Sequence, residues 1–407
     1  MNNPKSMGTS PYDSMLAELD CLLSEPVEAA RERATLAFDH ATNPHGDRLV
    51  LFGCGNMGRR VLARLRQDGI SPLAFADNQA ANWGKTIDGL IVLPPDEAAR
   101  RFGRDASFVV TIYNNSHSFL DTRRQLLALG CGNVVSLIPL RWKYHQTFLP
   151  YLRDDLPHKV LLQRSAISDT FALWSDEDSL REYVAQIAWR LHADFDIPGP
   201  PLLNQQYFPP GLFNLSADDF FVDVGAYDGD TLRQFLALRG DAFRHALALE
   251  PDPQNFAQLQ DFLSNLPECL RTKVKAQPFA VGSQSCILRF AAGGGTGSAV
   301  SAQGSVEVEC VRLDDLLGCL RPTYIKMDIE GAEPDAIEGC KRILREDRPV
   351  LAACVYHAQD HLWTIPLAIH DICPDYQLFI RPHMPECWDT VCYAVPPERL
   401  ASKPVTH

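Results

Sequence analysis

The C-terminal half of the chain alternates short apolar runs with longer segments that have helical spacing. This alternation is typical of a parallel sheet whose strands are joined by helices. A β-rich insertion interrupts it, and the last two apolar runs are separated by only a short loop, which favours an antiparallel pair. The predicted strands are residues 220–224, 245–249, 276–281, 324–328, 350–357, 376–381 and 390–395, with insertion strands at 286–290 and 306–311.

The N-terminal half contains a second, smaller α/β pattern. Two helices are predicted over residues 12–42, with Pro26 between them. About three strands of a sheet are supported after these helices, plus a short strand near Ile91. We therefore expect half of a Rossmann domain, without its second mononucleotide half. The candidate strands are residues 49–52, 73–76, 108–112 and 134–136.

The boundaries between these patterns predict four segments. A chain of 407 residues is too long for one hydrophobic core. The connector between the two α/β patterns has an amphipathic helix at 176–193, which is followed by the proline-rich stretch IPGPP. The predicted segments are N-terminal helices (1–46), a Rossmann-like domain (47–145), a helical connector (146–215) and a second α/β domain (216–400).

Composition and charge exclude several classes of protein. No apolar run reaches the length of a membrane span and the polar N-terminus lacks a signal-peptide core, so we expect a cytoplasmic protein without an integral membrane segment. The twelve cysteines have no metal-site spacing and are expected to be reduced. The net charge of -13 arises mostly in residues 151–407, where 22 Lys+Arg face 36 Asp+Glu. This argues against a nucleic-acid substrate and leaves a homo-oligomer open.

The stretch FFVDVGAYDGDTL at residues 220–232 is the clearest candidate for a ligand site. A strand, a turn bracketed by Gly225 and Gly229, and a helix that starts near Thr231 place free backbone N–H groups where a ligand can approach closely. The acids of this stretch would repel a pyrophosphate but suit a cation. S-adenosylmethionine (SAM) carries a sulfonium and an ammonium, so SAM is the expected cofactor. These acids are Asp223, Asp228 and Asp230.

Glu250 directly follows the second predicted strand of this domain. An acid at that position of a doubly wound sheet can accept both ribose hydroxyls of an adenosine. The alternative is that Glu250 or Asp252 only caps the helix that begins near Pro253. We expect ribose binding, because the glycine turn precedes Glu250 at the appropriate distance.

A second glycine turn lies in the N-terminal unit. Gly53, Gly55 and Gly58 form a Gly-x-Gly-x-x-Gly turn after the first strand, and Asp77 follows the second strand, as in dinucleotide-binding domains. The same turn also serves close packing of a strand and a helix with no ligand bound. No catalytic Tyr-x-x-x-Lys follows it. An unidentified nucleotide and a scaffold role are therefore both open for this unit.

Three side chains near strand ends are candidates for catalysis. Asp328 ends the fourth predicted strand, Glu330 follows it, and His357 ends the fifth, at the edge where open α/β sheets bind ligands. Methyl transfer to a hydroxyl needs a base, and a histidine near its unperturbed pKa is more useful at neutral pH than a solvated carboxylate. The same three residues could instead hold a divalent cation, but no motif demands one and no metal is predicted.

Several neighbouring features have two interpretations each. Glu333 lies in a first helical turn, where an acid can simply oppose the helix dipole. Lys326 either pairs with an acid under the site or lines the site. The glycine-rich tip at 293–298, with Ser298 at its end, is either a lid or a plain hairpin turn. The connector either roofs the site or only packs the domains together.

The region 220–396 resembles the FkbM family of methyltransferases. Seven strands with an antiparallel final hairpin is the architecture of class I methyltransferases, and the block YIKMDIEGAE is the most specific local match. The resemblance covers about half of the chain firmly and the connector loosely, through Trp-x-Asp-x-x-Ser and QYFP. The matching stretches are VDVGAYDGDT (222–231), LEPDP (249–253), AVGS (280–283), YIKMDIEGAE (324–333), VYH (355–357) and DTVCYAVP (389–396).

The resemblance implies a class I (seven-stranded, Rossmann-like) methyltransferase domain, preceded here by a smaller Rossmann-like α/β domain and a helical connector. It implies SAM-dependent O-methylation of a hydroxyl, often on a sugar or polyketide. The expected catalytic residues are Asp328, His357 and Glu330. The expected cofactor-binding residues are Asp223, Gly225, Tyr227, Asp228, Gly229, Thr231, Glu250, Pro251, Ala280, Val281 and Asp328.

The leading hypothesis is a SAM-dependent O-methyltransferase that acts on a small-molecule or glycan hydroxyl, in polysaccharide or glycoconjugate assembly. The sugar rests on analogy alone. One alternative is an NAD-dependent sugar oxidoreductase or epimerase that uses the N-terminal glycine turn, although it would need a Tyr/Lys pair that is not found. Another alternative is a non-catalytic scaffold, against which the intact acids Asp223, Glu250 and Asp328 argue.

Overall fold

The computed structural model describes residues 10–291, 299–300, 304 and 306–401. The glycine-rich tip at 293–298, with Ser298, lies outside these described residues. The chain starts with two helices, α1 (Pro11–Leu23) and α2 (Val27–Thr42). The hydroxyl of Ser10 accepts a hydrogen bond from the backbone N–H of Asp13 and so caps α1, while Pro26 separates the two helices as expected.

The N-terminal sheet contains six strands in the order β3-β4-β2-β1-β5-β6. All neighbours are parallel except β3 and β4. The strands are β1 (Leu49–Phe52), β2 (Ala74–Ala76), β3 (Thr86–Ile87), β4 (Leu90–Leu93), β5 (Ser107–Val110) and β6 (Asn133–Val135). The helices are α3 (Asn56–Gln67), α4 (Pro95–Phe102), α5 (Phe119–Ala128), α6 (Leu137–Lys143) and α7 (His145–Phe148), with a 3-10 turn at Ala80–Asn82.

The expectation of half a Rossmann domain was wrong in one respect. The short strand near Ile91 is β4, which runs parallel to β2 on one side of β1, while β5 and β6 extend the sheet on the other side. The sheet therefore winds in both directions from β1. The sequence pattern concealed this because Ile91, the second residue of β4, is exposed and interrupts the buried pattern of the strand.

The connector contains α8 (Pro157–Leu162), α9 (Arg164–Phe171) and α10 (Glu177–His192). Helix α10 covers an edge of the second sheet: the hydroxyl of Ser179 accepts a hydrogen bond of 3.1 Å from the backbone N–H of Ile380. This contact satisfies a backbone donor that an open sheet edge would leave unpaired. Packing, rather than a roof, is therefore the role of this helix.

The second sheet contains seven strands in the order β16-β17-β15-β14-β7-β8-β9. The last hairpin is antiparallel, and the other neighbours are parallel except β15 and β17. The strands are β7 (Phe220–Val224), β8 (His245–Leu249), β9 (Val274–Gln277), β14 (Tyr324–Met327), β15 (Val350–Cys354), β16 (Gln377–Pro382) and β17 (Thr390–Val395). The helices are α11 (Asp230–Arg239), α12 (Pro253–Ser264), α13 (Glu268–Arg271), α15 (Glu333–Glu338), α16 (Lys341–Glu346) and α17 (His361–Ile372), with a 3-10 turn at Pro397–Arg399.

Two predicted elements of this domain are split. The strand expected at 276–281 breaks at Pro278, which cannot donate a ladder hydrogen bond, so only its first part joins β9. The second part, β10 (Phe279–Val281), joins a separate sheet of order β10-β13-β11-β12. The helix whose first turn was expected to contain Glu333 breaks into α15 and α16 near Gly339. The remaining elements of the insertion are β11 (Cys286–Ala291), β12 (Ala299–Val300), β13 (Val306–Val311) and α14 (Leu313–Leu317).

The two α/β units share buried contacts. Trp189 of α10 and Cys387 of the β16–β17 loop belong to the same apolar cluster as Val50 and Phe108 of the N-terminal sheet. The two faces of the second sheet have clusters of their own, one of which includes α1, α9, α10 and α17. Within the described ranges, no helix combines the length and the apolar character needed to cross a bilayer.

Candidate active site

A cavity of about 520 Å³ opens at the carboxyl ends of β7, β8 and β14. This is the edge at which open α/β sheets bind ligands. Eight of the predicted cofactor residues line the cavity, and the predicted catalytic residue Glu330 lines it too. These eight are Gly225, Tyr227, Thr231, Glu250, Pro251, Ala280, Val281 and Asp328, the last of which was predicted for both roles.

The glycine turn after β7 is shaped by close backbone approach. Gly225 has a φ of +80°, and a Cβ at this position would lie 1.9 Å from the backbone oxygen of Asp328. Gly229 has a φ of +90°, and its missing Cβ leaves room for Leu259 and Phe262 of α12. Both positions therefore require glycine, and the turn stays open toward the cavity.

The carboxylate of Glu250 crosses from β8 to this turn. It accepts one hydrogen bond of 2.8 Å from the backbone N–H of Tyr227 and another of 2.8 Å from that of Asp252. Asp252 itself caps α12 by accepting from the N–H groups of Gln254 and Asn255. Capping therefore falls to Asp252, and Glu250 lines the cavity. Burial raises the pKa of Glu250, although the two N–H donors oppose this. A carboxylate with two donors keeps acceptor capacity for further hydroxyls.

A buried ion pair supports the turn from below. The ammonium of Lys326 lies 3.1 Å from Asp223 Oδ1 and donates a 2.6 Å hydrogen bond to the backbone oxygen of Gly225. Burial works against the charge on Lys326, but Asp223 and Asp328 keep the pKa of its ammonium above the ordinary value. Lys326 thus pairs with an acid under the site and also lines the cavity.

Three predicted cofactor residues do not line the cavity. Asp223 is fully buried in its pair with Lys326. Asp228 turns away and forms a 2.6 Å ion pair with Arg233. Gly229 serves the packing of the turn on α12. Of the three acids on which the preference for a cation was argued, only Asp230 lines the cavity. The negative charge of the cavity comes instead mostly from other strand ends.

Tyr207 connects the connector to the strand ends. Its hydroxyl donates a 2.7 Å hydrogen bond to Asp328 Oδ2, and its backbone N–H donates to the hydroxyl of Tyr393 at 3.0 Å. Tyr207 has a φ of +66°, an unusual value for a residue with a Cβ. The QYFP motif pointed to this segment as a roof, but only the fold shows that Tyr207 orients Asp328.

His357 lies in a cluster of carboxylates. Its Nδ1 lies 2.8 Å from Glu333 Oε1, and its Nε2 lies 3.3 Å from Asp328 Oδ1 and 4.0 Å from Glu330 Oε2. Burial disfavours the imidazolium, yet these carboxylates raise the pKa of His357 to about 9. The expectation of a histidine near its ordinary pKa was therefore wrong. His357 holds a proton at neutral pH and does not line the cavity.

Glu333 and Glu330 differ strongly in their environment. Burial works against the charge of Glu333, but His357 and His361 hold its pKa well below the usual range. Glu330 is 26% exposed, and burial together with Asp328 raises its pKa to about 7, although His357 opposes the shift. Glu330 is thus the carboxylate of the cluster that exchanges a proton near neutral pH.

The cluster also has the spacing of a metal site. One ligand atom from each of Asp328, Glu333 and His357 lies within 4.8 Å of the others. Carboxylate oxygens and an imidazole nitrogen could coordinate a divalent cation. The raised pKa of His357 applies to the same residues when the imidazole carries a proton and no cation is bound. A cation would have to displace that proton.

The N-terminal glycine turn is engaged by its own residues. The carboxylate of Asp77 accepts hydrogen bonds from the backbone N–H of Cys54 at 3.0 Å, from its thiol at 2.9 Å, and from the N–H of Gln79 at 2.8 Å. A Cβ on Gly58 would lie 2.0 Å from the backbone oxygen of Gly53. Gly58 therefore allows close packing of α3 on the turn after β1, and Asp77 accepts hydrogen bonds from the turn as Glu250 does in the second domain.

The cavity residues that the sequence reasoning missed include Gln206, Asp389, Tyr356 and Asn115. Gln206 precedes Tyr207 in QYFP, and Asp389 begins the DTVCYAVP motif, so both had a local signal. Tyr356 lies in VYH beside His357. Asn115 had no signal, because it lies in the other α/β unit and reaches the cavity only through the fold. The imidazole of His383 is buried outside this lining, with Nδ1 3.0 Å from the backbone oxygen of Leu202 and Nε2 2.7 Å from the hydroxyl of Tyr393.

Comparisons with known proteins find methyltransferases that are similar to this chain in sequence and in fold. The methyltransferase FkbM domain family matches residues 223–387. The 2-O-methyltransferase NoeI of Sinorhizobium fredii is 28% identical over 187 residues, which cover 40% of this chain and 73% of that protein. The crystal structure of methyltransferase FkbM from Methylobacillus flagellatus has 23% identity and a TM-score of 0.71, and the match covers 95% of this chain and 99% of that one. The fold of both α/β units together is therefore shared with that protein.

Proposed function

The chain belongs, through residues 223–387, to the FkbM family of methyltransferases, and we propose that it transfers a methyl group from SAM to a hydroxyl oxygen. The observation that carries this proposal is the shared cavity. Glu250 and the turn at Gly225 line it together with Asp328 and Glu330. A nucleoside and a reacting hydroxyl can thus occupy one cavity.

The cofactor would be held by groups that the turn leaves available. Glu250 would accept the ribose hydroxyls, since its carboxylate keeps acceptor capacity beyond the two N–H donors. Ala280 and Val281 of β10 supply apolar lining beside it. The acidic lining, to which Asp230 contributes, favours the sulfonium and ammonium of SAM over a pyrophosphate.

The reaction would be an in-line displacement at the methyl carbon. The acceptor oxygen forms the new C–O bond, the C–S bond breaks with its electrons moving to sulfur, and the hydroxyl proton passes to Glu330. A base with a pKa near the working pH is best suited to this transfer. His357, protonated and held by Glu333, would keep Asp328 and Glu330 in place as a positioning residue.

The acceptor is proposed to be a sugar hydroxyl of a small molecule or glycan. NoeI, by its name, is a 2-O-methyltransferase, which supports oxygen as the acceptor atom. The alternative of an NAD-dependent oxidoreductase loses support because the hydroxyl of Thr111 closes over the N-terminal turn by donating to the backbone oxygens of Phe52 and Gly53.

Calorimetric titration and a transfer assay together test the proposal. The full chain is titrated with S-adenosylhomocysteine (SAH) and, separately, with NAD(H), and is then incubated with methyl-labelled SAM and a panel of methyl glycosides. We expect binding of SAH and not of NAD(H), with label transferred to a glycoside oxygen. Binding of NAD(H) alone would overturn the proposal, and binding of neither would favour a scaffold.

A further inference from the structure

The loop after β5 brings the N-terminal unit into the cavity. Of the described residues that line the cavity, Asn115 alone comes from that unit, and Gln206 of the connector lines the same space. The loop turns at this point because Asn114 Oδ1 accepts a 3.0 Å hydrogen bond from the backbone N–H of Ser116. An amide side chain is thereby presented to the cavity from outside the methyltransferase domain.

Aromatic and cationic side chains hold this loop against the β16–β17 loop. The rings of Tyr113 and Trp388 lie 5.3 Å apart, and the guanidinium of Arg153 lies 3.6 Å from the centre of the Trp388 ring. Arg153 also donates a 3.0 Å hydrogen bond to the backbone oxygen of Glu386. Buried contacts of this kind fix the relative position of two loops from different units.

The β16–β17 loop in turn contacts a helix of the N-terminal unit. The carboxylate of Glu386 accepts a 2.5 Å hydrogen bond from the backbone N–H of Phe119, the first residue of α5, and so satisfies a free N–H at the start of a helix of the N-terminal unit. Glu386, Cys387 and Asp389 all have positive φ, from 47° to 63°. Such backbone conformations persist only where the surroundings hold them. The N-terminal unit thus contacts the loop that carries Asp389, which lines the cavity.

The charge of the cavity lining is one-sided. Its only cationic side chain among the described lining residues is Lys326, and the ammonium of Lys326 is taken up by Asp223 and the backbone oxygen of Gly225. A phosphate or carboxylate on the acceptor would meet repulsion and find no free cation. The carboxylates of the lining are Asp230, Glu250, Asp328, Glu330, Asp335 and Asp389.

We propose that Asn115, Gln206 and Asp389 form an acceptor subsite between the two α/β units, and that this subsite takes an uncharged or amino-bearing polyhydroxyl ring. Amides donate to and accept from hydroxyls, and carboxylates accept from hydroxyls and ammonium groups. The inference rests on the proposed methyl transfer and adds the acceptor class. It also assigns the N-terminal unit a place in the active site.

The test compares acceptor classes on the full chain. Methyl glycosides of neutral hexoses, amino sugars and uronic acids, together with hexose phosphates, are assayed for SAM-dependent methylation and, with SAH-loaded protein, for binding by saturation-transfer NMR. We expect neutral and amino glycosides to be accepted and the two anionic classes to be rejected. Preference for a uronate or a phosphate, or no binding of any neutral or amino glycoside, overturns the inference.

Variants of Asn115 separate a subsite residue from a loop residue. Asn115→Ala should raise KM for the accepted glycoside about 3- to 10-fold, the value of one hydrogen bond, while kcat and SAH affinity change little. Asn115→Lys should shift the preference from amino toward anionic glycosides by about tenfold, since it adds a cation to the lining. The exposed Asn43 supplies the matched control, Asn43→Ala.

The outcomes keep this inference separate from the proposed function. SAH binding with methylation that is unaffected by either Asn115 variant overturns the subsite and leaves the methyltransferase standing. If the unmodified chain does not bind SAH, the proposed function itself is overturned. If Asn115→Ala misfolds, Asn115→Lys with an unchanged melting temperature still reports on the preference between charged acceptors.

Discussion

The two glycine turns of this chain are built alike. Gly53 and Gly225 have φ values of +106° and +80°, and their backbone N–H groups bond to the last residue of the neighbouring strand, β2 or β8. In each unit the acid after that strand accepts from a backbone N–H inside the turn and from another N–H two residues beyond the acid. These acids are Asp77 and Glu250.

The two turns differ in the residues that follow the strand on their other side, which is β5 in the N-terminal unit and β14 in the second domain. Residues 111–113 (TIY) follow β5 and residues 328–330 (DIE) follow β14, and both isoleucines lie against the turn glycine. The hydroxyl of Thr111 donates to the backbone oxygens of Phe52 and Gly53 and so closes over its own turn. Asp328 cannot donate and faces Tyr207 and His357 instead.

The pKa values of the two acids, Asp77 and Glu250, are shifted in opposite directions. Burial works against the charge of Asp77, but the N–H groups of Cys54 and Gln79 and the thiol of Cys54 hold its pKa below the usual value. Burial raises the pKa of Glu250 despite its two donors. The comparison teaches that the glycine turn and the acid define a local scaffold. Whether that scaffold is a ligand site depends on the third strand end.

The largest effect is expected at Glu330, whose position in the N-terminal turn is taken by Tyr113. Glu330→Gln should lower kcat about 10²- to 10⁴-fold, the usual contribution of a general base. In the unmodified chain kcat should rise with pH through about 7, because the raised pKa of Glu330 keeps it protonated, and unable to accept a proton, at lower pH. The measurement is a pH–rate profile with the exposed Glu338→Gln as control. An unchanged rising limb in Glu330→Gln would assign the base elsewhere.

The two equivalent acids should differ in cofactor affinity. Glu250→Ala should weaken SAH binding about 100-fold, because two hydrogen bonds from ribose hydroxyls to a charged group are lost. Asp77→Ala removes the equivalent carboxylate and also leaves two backbone N–H groups without an acceptor, yet SAH affinity should stay the same. Calorimetry on both variants makes the comparison. Equal losses in the two variants would mean that the effect is structural.

The smallest effect, and one expected in both units, concerns backbone approach. A Cβ on Gly58 or Gly225 would lie 2.0 Å or 1.9 Å from a backbone oxygen. Gly58→Ala and Gly225→Ala should each lower the free energy of unfolding by about 1–3 kcal/mol, with the larger loss at Gly225 because its φ is positive. Chemical denaturation measures both. A neutral Gly58→Ala would show that the N-terminal turn has room for a ligand.

Local patterns were sufficient for much of the second domain. The apolar run before Gly225, the acid after β8 and the acid after β14 were all predicted. The spacing of apolar residues, and the glycines and acids that end each apolar run, can be seen in a short stretch of sequence. The site assignments themselves stay predictions. The split of residues 276–281 was missed although Pro278 is visible in the sequence, since an apolar run continues on both sides of it.

The contributions from distant residues could not be predicted. Tyr207 bonds to Asp328 across 121 positions, and Asn115 reaches the same cavity from another unit. The protonation of His357 depends on Glu333 and Asp328, which approach it only because parallel strands end at one edge of the sheet. A sequence pattern lists charged residues but does not state which of them are adjacent.

The amino-acid sequence by itself determined the order of strands and helices, the two glycine turns and the acids that follow them, because these depend on short-range periodicity and on backbone freedom at glycine. The tertiary structure decided which turn opens into a cavity, whether His357 is protonated and how the N-terminal unit reaches the cavity. Those properties depend on distance and burial, and only the packed chain brings the strand end at Asp328, the connector at Tyr207 and the loop at Asn115 together.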